Sequence, residues 1–557
     1  MAPKGAKKRK LDKGDEVGDR QSDLAELDRF RHAVPYVSKS ALEAIIKEGK
    51  KKGLPKLDTR QAMTEASQIQ MDQTTDYGPL MNTIDLEPLE PGLPIRLNVL
   101  NPISYLCILL MASVGFSQLV ERTYDANPCT MDKPWRLALY SDEVTPGDAF
   151  SVTLARKVQV VYWSFLEFEH LLSDENTWMI ATAKRSSEVA KVSGQMSQVM
   201  GQVAKLFVYG DSSFDGSGIW VKLATGRKIR LFAKIGMFIQ DGGAHKATFH
   251  CKGDSGSRFC MLCRNVFSLK SELGGDVDED GDSYSSIIKV ADLDFAESEE
   301  IIESLERVHH FRTIDTAKDF EKRCIANGFS YSGYNLLLDP DLRDHMDPKD
   351  QFCHDWMHCL FQSGVWNIVT FLVLAALAKN GFRNVYAHLH DWLSDWHGPA
   401  KFKMQKPWQY FAKTRETSNK DAKKFKCPAS AGLSLCAVLG VYFAIHAAAG
   451  RCLEEIDVYV SLVDLVEYFL AANRHTVTAK GIRKAVENFL AKFCRVFGYK
   501  KQTPKFHWLL HFARHYRIFK MLVSCFVHER KHRVLKRYCQ NVLNTVVFEV
   551  SVLAEVL

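Results

Sequence analysis

Asp142 and Asp241 each close an apolar run. The first run is Trp135-Arg-Leu-Ala-Leu-Tyr-Ser-Asp142, bounded by Pro134 and by Thr145-Pro146-Gly147-Asp148. The second is Lys228 to Ile239, which leads through Gln240 to Asp241. Short apolar runs bounded by turn residues read as buried strands, so both carboxylates are expected on rigid strand ends. Two carboxylates held in this way suit a hydrolytic divalent metal, which takes oxygen ligands and keeps positions open for substrate. A strand with a solvated acidic end is the plainer alternative. Downstream, Cys260-Met-Leu-Cys263 has the spacing of a zinc-ligand pair. With only one CxxC present, partners are sought among His250, Cys251, Cys353, His354 and His358; otherwise the pair is two reduced, half-buried thiols.

The elements that must position these groups follow from patterning. Ala149 to Ala155, Lys157 to Phe168 and Thr177 to Lys184 are rich in Val, Ile and aromatics, as strands of a meander are. Gly194 to Phe207 has helical spacing. The order strand-Asp, strand, strand, helix, strand-Asp is that of a ribonuclease-H-like sheet, whose first and fourth strands are neighbours. Such neighbours would bring Asp142 and Asp241 to one sheet end. Before them, Asn98 to Val120 reads as a helix; after them, Phe361 to Ala378, Ser430 to Ala449, Glu455 to Ala472 and Gly481 to Phe497 make the region from Glu299 to Gly498 mainly helical.

Composition excludes some classes. The chain has 557 residues, 46% hydrophobic, with net charge +7; it can bury large cores. Fourteen scattered cysteines and a charged N-terminus without a signal peptide speak for reduced thiols, not a disulfide framework. Lys7-Lys8-Arg9-Lys10 is either a nuclear-import run or a solvated tail. Pro428 to Gly450 is uncharged and long enough to span a bilayer, although its Ser, Gly and His content favours a buried helix. Lys401 to Lys426 interleaves Lys401, Lys403, Lys406, Lys423 and Lys424 with Trp408, Tyr410 and Phe411, which suits nucleic acid or, equally, a loop with anchoring aromatics. Arg530, Lys531, Lys536 and Arg537 form a second basic stretch. The acidic run Gly274 to Asp282 approaches a calcium loop but has Ile287 where the bidentate Glu belongs, and is read as a linker.

Five features now stand in order: Tyr140-Ser-Asp142-Glu-Val-Thr-Pro-Gly147; Asp241 leading through Lys252-Gly253 to Cys260-x-x-Cys263; His354-Asp355-x-x-His358; Phe506-His507-Trp-Leu-Leu-His511; and Glu529-Arg530 with Leu535-Lys536. Over Leu93 to Asn541 this set resembles the DDE transposases of the CACTA/EnSpm-like and KDZ-like groups. The resemblance implies a metal-binding catalytic triad of Asp142, Asp241 and Glu529 with Mg²⁺ or Mn²⁺. It also implies a zinc or structural site of Cys260, Cys263, His358 and Asp355, and DNA cut by hydrolysis and joined by strand transfer in the nucleus. DNA (element ends and target) and a second copy of the chain are the implied partners, and no membrane is favoured. The 99 positions from Asp142 to Asp241 fit the sheet, whereas the 288 from Asp241 to Glu529 require a large helical insertion. The expected organisation is a basic, largely disordered region over 1–92, a helical lead-in over 93–132, the first part of an α/β ribonuclease-H-like core over 133–265, an acidic linker and helical insertion over 266–498, and core completion with the last catalytic helix over 499–557. No site-specific DNA-binding domain is recognisable at the N-terminus. The rival readings are an inactive transposase-derived DNA-binding protein, a nuclease or recombinase on the same sheet, and a membrane-associated protein built on Pro428 to Gly450.

Overall fold

A computed structural model describes residues 39–53, 60–146, 157–210, 212–268, 286–396, 404, 406–541 and 547–556. The Lys7–Lys10 run, the acidic linker and the expected strand at Ala149 to Ala155 lie outside them. Two compact units are distinguished, one up to Ile69 and one from Gln70 to Leu557. In the first, helix Lys39–Lys52 is braced by the ion pairs Lys47–Glu43 at 2.6 Å and Lys52–Glu48 at 2.7 Å.

The second unit is built on a seven-stranded mixed sheet with flanking helices and a large helical region. Its strands are β1 (Met81–Leu86), β2 (Ile95–Leu100), β3 (Trp135–Val144), β4 (Val158–Phe165), β5 (Met179–Arg185), β6 (Ala233–Gln240) and β7 (Phe352–His354). They lie side by side in the order β7-β6-β3-β4-β5-β2-β1. β3, β4 and β5 form the antiparallel meander, while β6 and β7 run parallel to β3. The inner strands are buried on both faces, as their near-continuous Val, Leu, Trp and Tyr require.

The expected boundaries shift in three places. Residues 81–86 belong to the sheet, not to an unstructured N-terminal region, because β1 pairs in register with β2 along its whole length. The lead-in opens with β2 and then breaks into α1 (Pro102–Ala112) and α2 (Val114–Ala126), which meet at 110° where Ser113 caps α2. The last sheet strand is β7, from the stretch assigned to the helical insertion. Three residues are too few for a period-two pattern to register, and β7 exists only because β6 offers it an edge.

α3 (Met196–Val208) and α4 (Gly242–Phe249) pack with the sheet in one hydrophobic core. A second core joins α5 (Trp356–Leu360), α6 (Val365–Lys379), α7 (Ala429–Ala448), α8 (Leu453–Ala472) and α9 (Ala479–Phe497). Two helical stretches, Trp356–Lys379 and Ala429–Ala448, are long and apolar enough to cross a membrane. α7 nonetheless gives Leu435, Leu439, Tyr442 and Phe443 to the second core, while Val441 and Ile445 remain exposed. Three further helices complete the site: α10 (Pro504–Trp508), α11 (Phe512–Phe519) and α12 (Phe526–Asn541).

Candidate active site and metal centres

The register of the parallel strands brings the aspartates together. Leu139 of β3 pairs with Phe238 of β6, and Asp142 and Asp241 are each three residues farther along. Gln240 pairs with His354 of β7, so Asp355 is the next neighbour of Asp241. Asp142 near the end of β3, and Asp241 and Asp355 directly after β6 and β7, thus line up at the carboxyl edge of three adjacent parallel strands, where open α/β sheets bind ligands. A bulge between Ile235 and Met237 sets this register. It is occupied by Gly236, where a Cβ would come within 2.5 Å of Arg136 Cβ. The Gln240 amide ties the edge together by donating to Ser141 Oγ and Thr248 Oγ1.

Asp142 is held by its own strand: Tyr140 Oη donates to Oδ2 at 2.8 Å and the Glu143 amide to Oδ1 at 2.7 Å. Burial, and then the charge of Asp241, push its carboxyl up to about 7. Asp241 caps α4, accepting from the Ala244 amide at 2.6 Å. Glu529, in the first turn of α12, is exposed and reaches Asp142. A carboxylate oxygen of each and one ring nitrogen of His532 lie within 4.8 Å of one another. α12 is pinned here by His528, which stacks face to face on Tyr140 at 3.6 Å and meets Trp178 edge-on at 4.2 Å. Both His528 nitrogens are buried without hydrogen-bond partners, and burial depresses its basicity strongly.

His358 and Asp355 stand at this carboxylate edge and not with the cysteines, which corrects the expected grouping. Asp355 caps α5 and accepts from His358 Nδ1 at 2.5 Å and from the Cys525 amide at 3.0 Å. Burial opposes its charge, but the bond to and charge of His358, with the Cys525 and His358 amides, together outweigh it and hold Asp355 below the usual carboxylate range. For His358, too, burial disfavours the charge. The Asp355 bond and the charges of Asp355, Asp241 and Asp142 overcome that and raise its pKa. A cavity of about 450 Å³ opens beside these groups, lined by Asp241, Asp355, His358, Lys246, Lys505 and Trp508 among others.

Cys260 and Cys263 meet His507 and His511 instead. All four are buried. Cys260 Sγ is 3.4 Å from His511 Nε2, Cys263 Sγ is 3.6 Å from each Nε2, and the two Nε2 atoms are 3.0 Å apart. Ligands around a tetrahedral zinc at ordinary bond lengths would be separated by about 3.6 Å for sulfur to nitrogen and about 3.3 Å for nitrogen to nitrogen. The four donors therefore already have the separations of a closed metal clasp. Burial opposes ionisation of Cys260, but the Cys263 hydrogen bond and the imidazoles of His511 and His507 draw its thiol well below the usual range. Two imidazole donors four residues apart on one helical face were legible as His507-x-x-x-His511; the preference for partners nearer the CxxC in sequence hid them. His358 could not serve because Asp355 holds it at the carboxylate edge.

The expected nucleic-acid contacts are distributed unevenly. Lys401 and Lys403 lie outside the described residues; Lys406, Lys423 and Arg537 are exposed, and Lys424 and Lys536 half-buried. Arg530 donates to Ser173 O, and Lys531 to Glu175 O at 3.1 Å. Burial draws the Lys531 amine down to about 8. Phe411 is a core residue packed on Phe425, and Trp408 and Tyr410 lean on the same core, so these three act as anchors of the loop. Neither models of known protein families nor curated proteins match this sequence.

Proposed function

We propose that the protein is a DDE-type DNA transposase of the CACTA/EnSpm-like or KDZ-like kind, or a protein derived from one, working on a ribonuclease-H-like core. The sheet order supports that fold: an antiparallel meander with two parallel strands added beside its first strand. One observation carries the functional reading. Glu529, 288 residues beyond Asp241, comes to lie within 4.8 Å of Asp142, whose neighbouring strand ends in Asp241.

On this reading Asp142, Asp241 and Glu529 hold divalent cations, Mg²⁺ or Mn²⁺, whose oxygen preference matches a carboxylate set. Such ions activate an attacking oxygen and stabilise the leaving one in phosphodiester cleavage. The chain's own groups do the rest. Tyr140 and the Glu143 amide orient Asp142. His358, oriented by Asp355 and made more basic by the surrounding carboxylates, would offer a donor to a phosphate oxygen at the strand ends. Lys406, Lys423, Lys424, Lys536 and Arg537 neutralise DNA phosphates along the surface. Water would release a 3′-hydroxyl from the cut strand, and that hydroxyl would then attack target DNA. The setting is the nucleus, with DNA as partner and the chain acting as a homo-oligomer.

The second centre takes zinc on this reading. Cys260, Cys263, His507 and His511 fit a closed structural site, and its role is positional. It clasps the loop after α4 to the helices that deliver α12, across 244 to 251 residues of sequence. The test is cleavage of supercoiled plasmid carrying the DNA that flanks the coding sequence. Nicking that needs Mg²⁺ and stops with chelator is expected; binding without cleavage would leave the inactive DNA-binding reading.

A further inference from the structure

We infer that His532 is a third protein ligand, beside Asp142 and Glu529, of one metal position, making it a mixed carboxylate–imidazole site selective for Mn²⁺-like ions over Mg²⁺. The inference rests on the reading that these carboxylates bind a divalent cation. It is carried by observations the triad does not use. A ring nitrogen of His532 lies within 4.8 Å of both carboxylates. The residue is 2% exposed, and its Nε2 is enclosed without a hydrogen-bond partner. Buried ring nitrogens are usually satisfied, and a cation shared with the two carboxylates would give this ring a partner.

The local chemistry agrees. Glu529-Arg530-Lys531-His532 is a Glu-x-x-His step on one helix. Residues three apart on a helix share a face, and this spacing presents a carboxylate and an imidazole to one ion in carboxylate-rich metal sites. The ring lies over the Tyr140–Tyr162 pair, its centroid 5.9 Å from the first and 5.8 Å from the second. Adding an imidazole to an oxygen set shifts preference from Mg²⁺ towards Mn²⁺ and later metals.

The probe is Mn²⁺ bound to the full chain with its zinc content intact, read by pulsed electron paramagnetic resonance on protein carrying ¹⁵N-histidine. Hyperfine coupling to a histidine nitrogen is expected in the parent and absent in His532→Asn and His532→Ala. These variants should bind Mn²⁺ about tenfold or more weakly, and Mg²⁺ only about threefold or less so. Stoichiometric Mn²⁺ that Asp142→Asn removes but that shows no nitrogen coupling would overturn the inference and leave the triad reading standing. Coupling that survives His532→Asn and disappears in His358→Ala would overturn it as well. If Asp142→Asn leaves Mn²⁺ binding unchanged, the triad reading itself fails, and the inference with it. If a substitution at this buried position unfolds the protein, the parent and His358→Ala decide together: coupling absent from the parent, or lost in His358→Ala, overturns the inference.

Discussion

Asp142 and Asp241 stand side by side because Leu139 and Phe238 pair three residues before them on parallel strands. That pairing depends on one extra residue, Gly236, absorbed in the bulge against Arg136. Gly236→Val would force the two strands apart or slip the register by a residue. A misplacement on the order of 1 Å at a reacting centre can cost about a hundredfold in rate. The variant is expected to lose at least about tenfold in DNA cleavage, with destabilisation of about 1–3 kcal/mol and unchanged zinc content, all readable on one preparation.

The cysteine–histidine clasp predicts one zinc per chain. Cys263→Ser and His511→Ala should each abolish it and lower thermal stability, because structural zinc contributes folding free energy directly. His358→Ala should keep the zinc and lose cleavage. Elemental analysis separates the two sets: zinc lost from His358→Ala but retained in His511→Ala would reverse the assignment.

Much of this was legible in the sequence, and what was not has identifiable causes. The meander strands β3 to β5, α3 and the four long helices of the second core are long apolar or amphipathic runs and appear within a few residues of where patterning puts them. Asp142 and Asp241 were legible because each closes an apolar run. β7 was not, since three residues leave no period to read. The Cys260–His511 and Asp142–His532 contacts span about half and most of the chain respectively, and no local spacing encodes which distant histidine returns. Asp355-x-x-His358 looked like a metal pair by type, whereas the backbone registers Asp355 beside Asp241.

Asp142 gives the fold a pH dependence with a definite sign. Its folded pKa, about 7, is above the ordinary carboxyl value near 4. Between those values the folded state holds a proton that the unfolded state has released, so stability falls as pH rises from about 4 to about 7. With the zinc site intact and no other divalent ion added, thermal unfolding of the parent should show this decline more steeply than Asp142→Asn does. Equal slopes for the two proteins would contradict the shift. Added Mg²⁺ should restore more stability at pH 8 than at pH 5.

His528 is expected to act by shape. It lies between Tyr140 and Trp178 with neither nitrogen bonded, and a buried unsatisfied polar group costs about 1–3 kcal/mol. His528→Phe should therefore match or exceed the parent in melting temperature and keep its activity. His528→Ala, which empties the slot that pins α12, should lose about 3 kcal/mol or more and misplace Glu529. A protein in which Phe is as damaging as Ala would show that the imidazole's polarity matters.

The central claim is that Glu529 completes a metal-binding triad with Asp142 and Asp241. It is tested most directly by Glu529→Gln, which keeps shape and removes charge. Cleavage of supercoiled DNA bearing the flanking sequences is measured in Mg²⁺ against the parent. The expected result is a loss of about a hundredfold or more with melting temperature and zinc content unchanged. Cleavage at the parental rate would make Glu529 a surface charge on α12 and contradict the account.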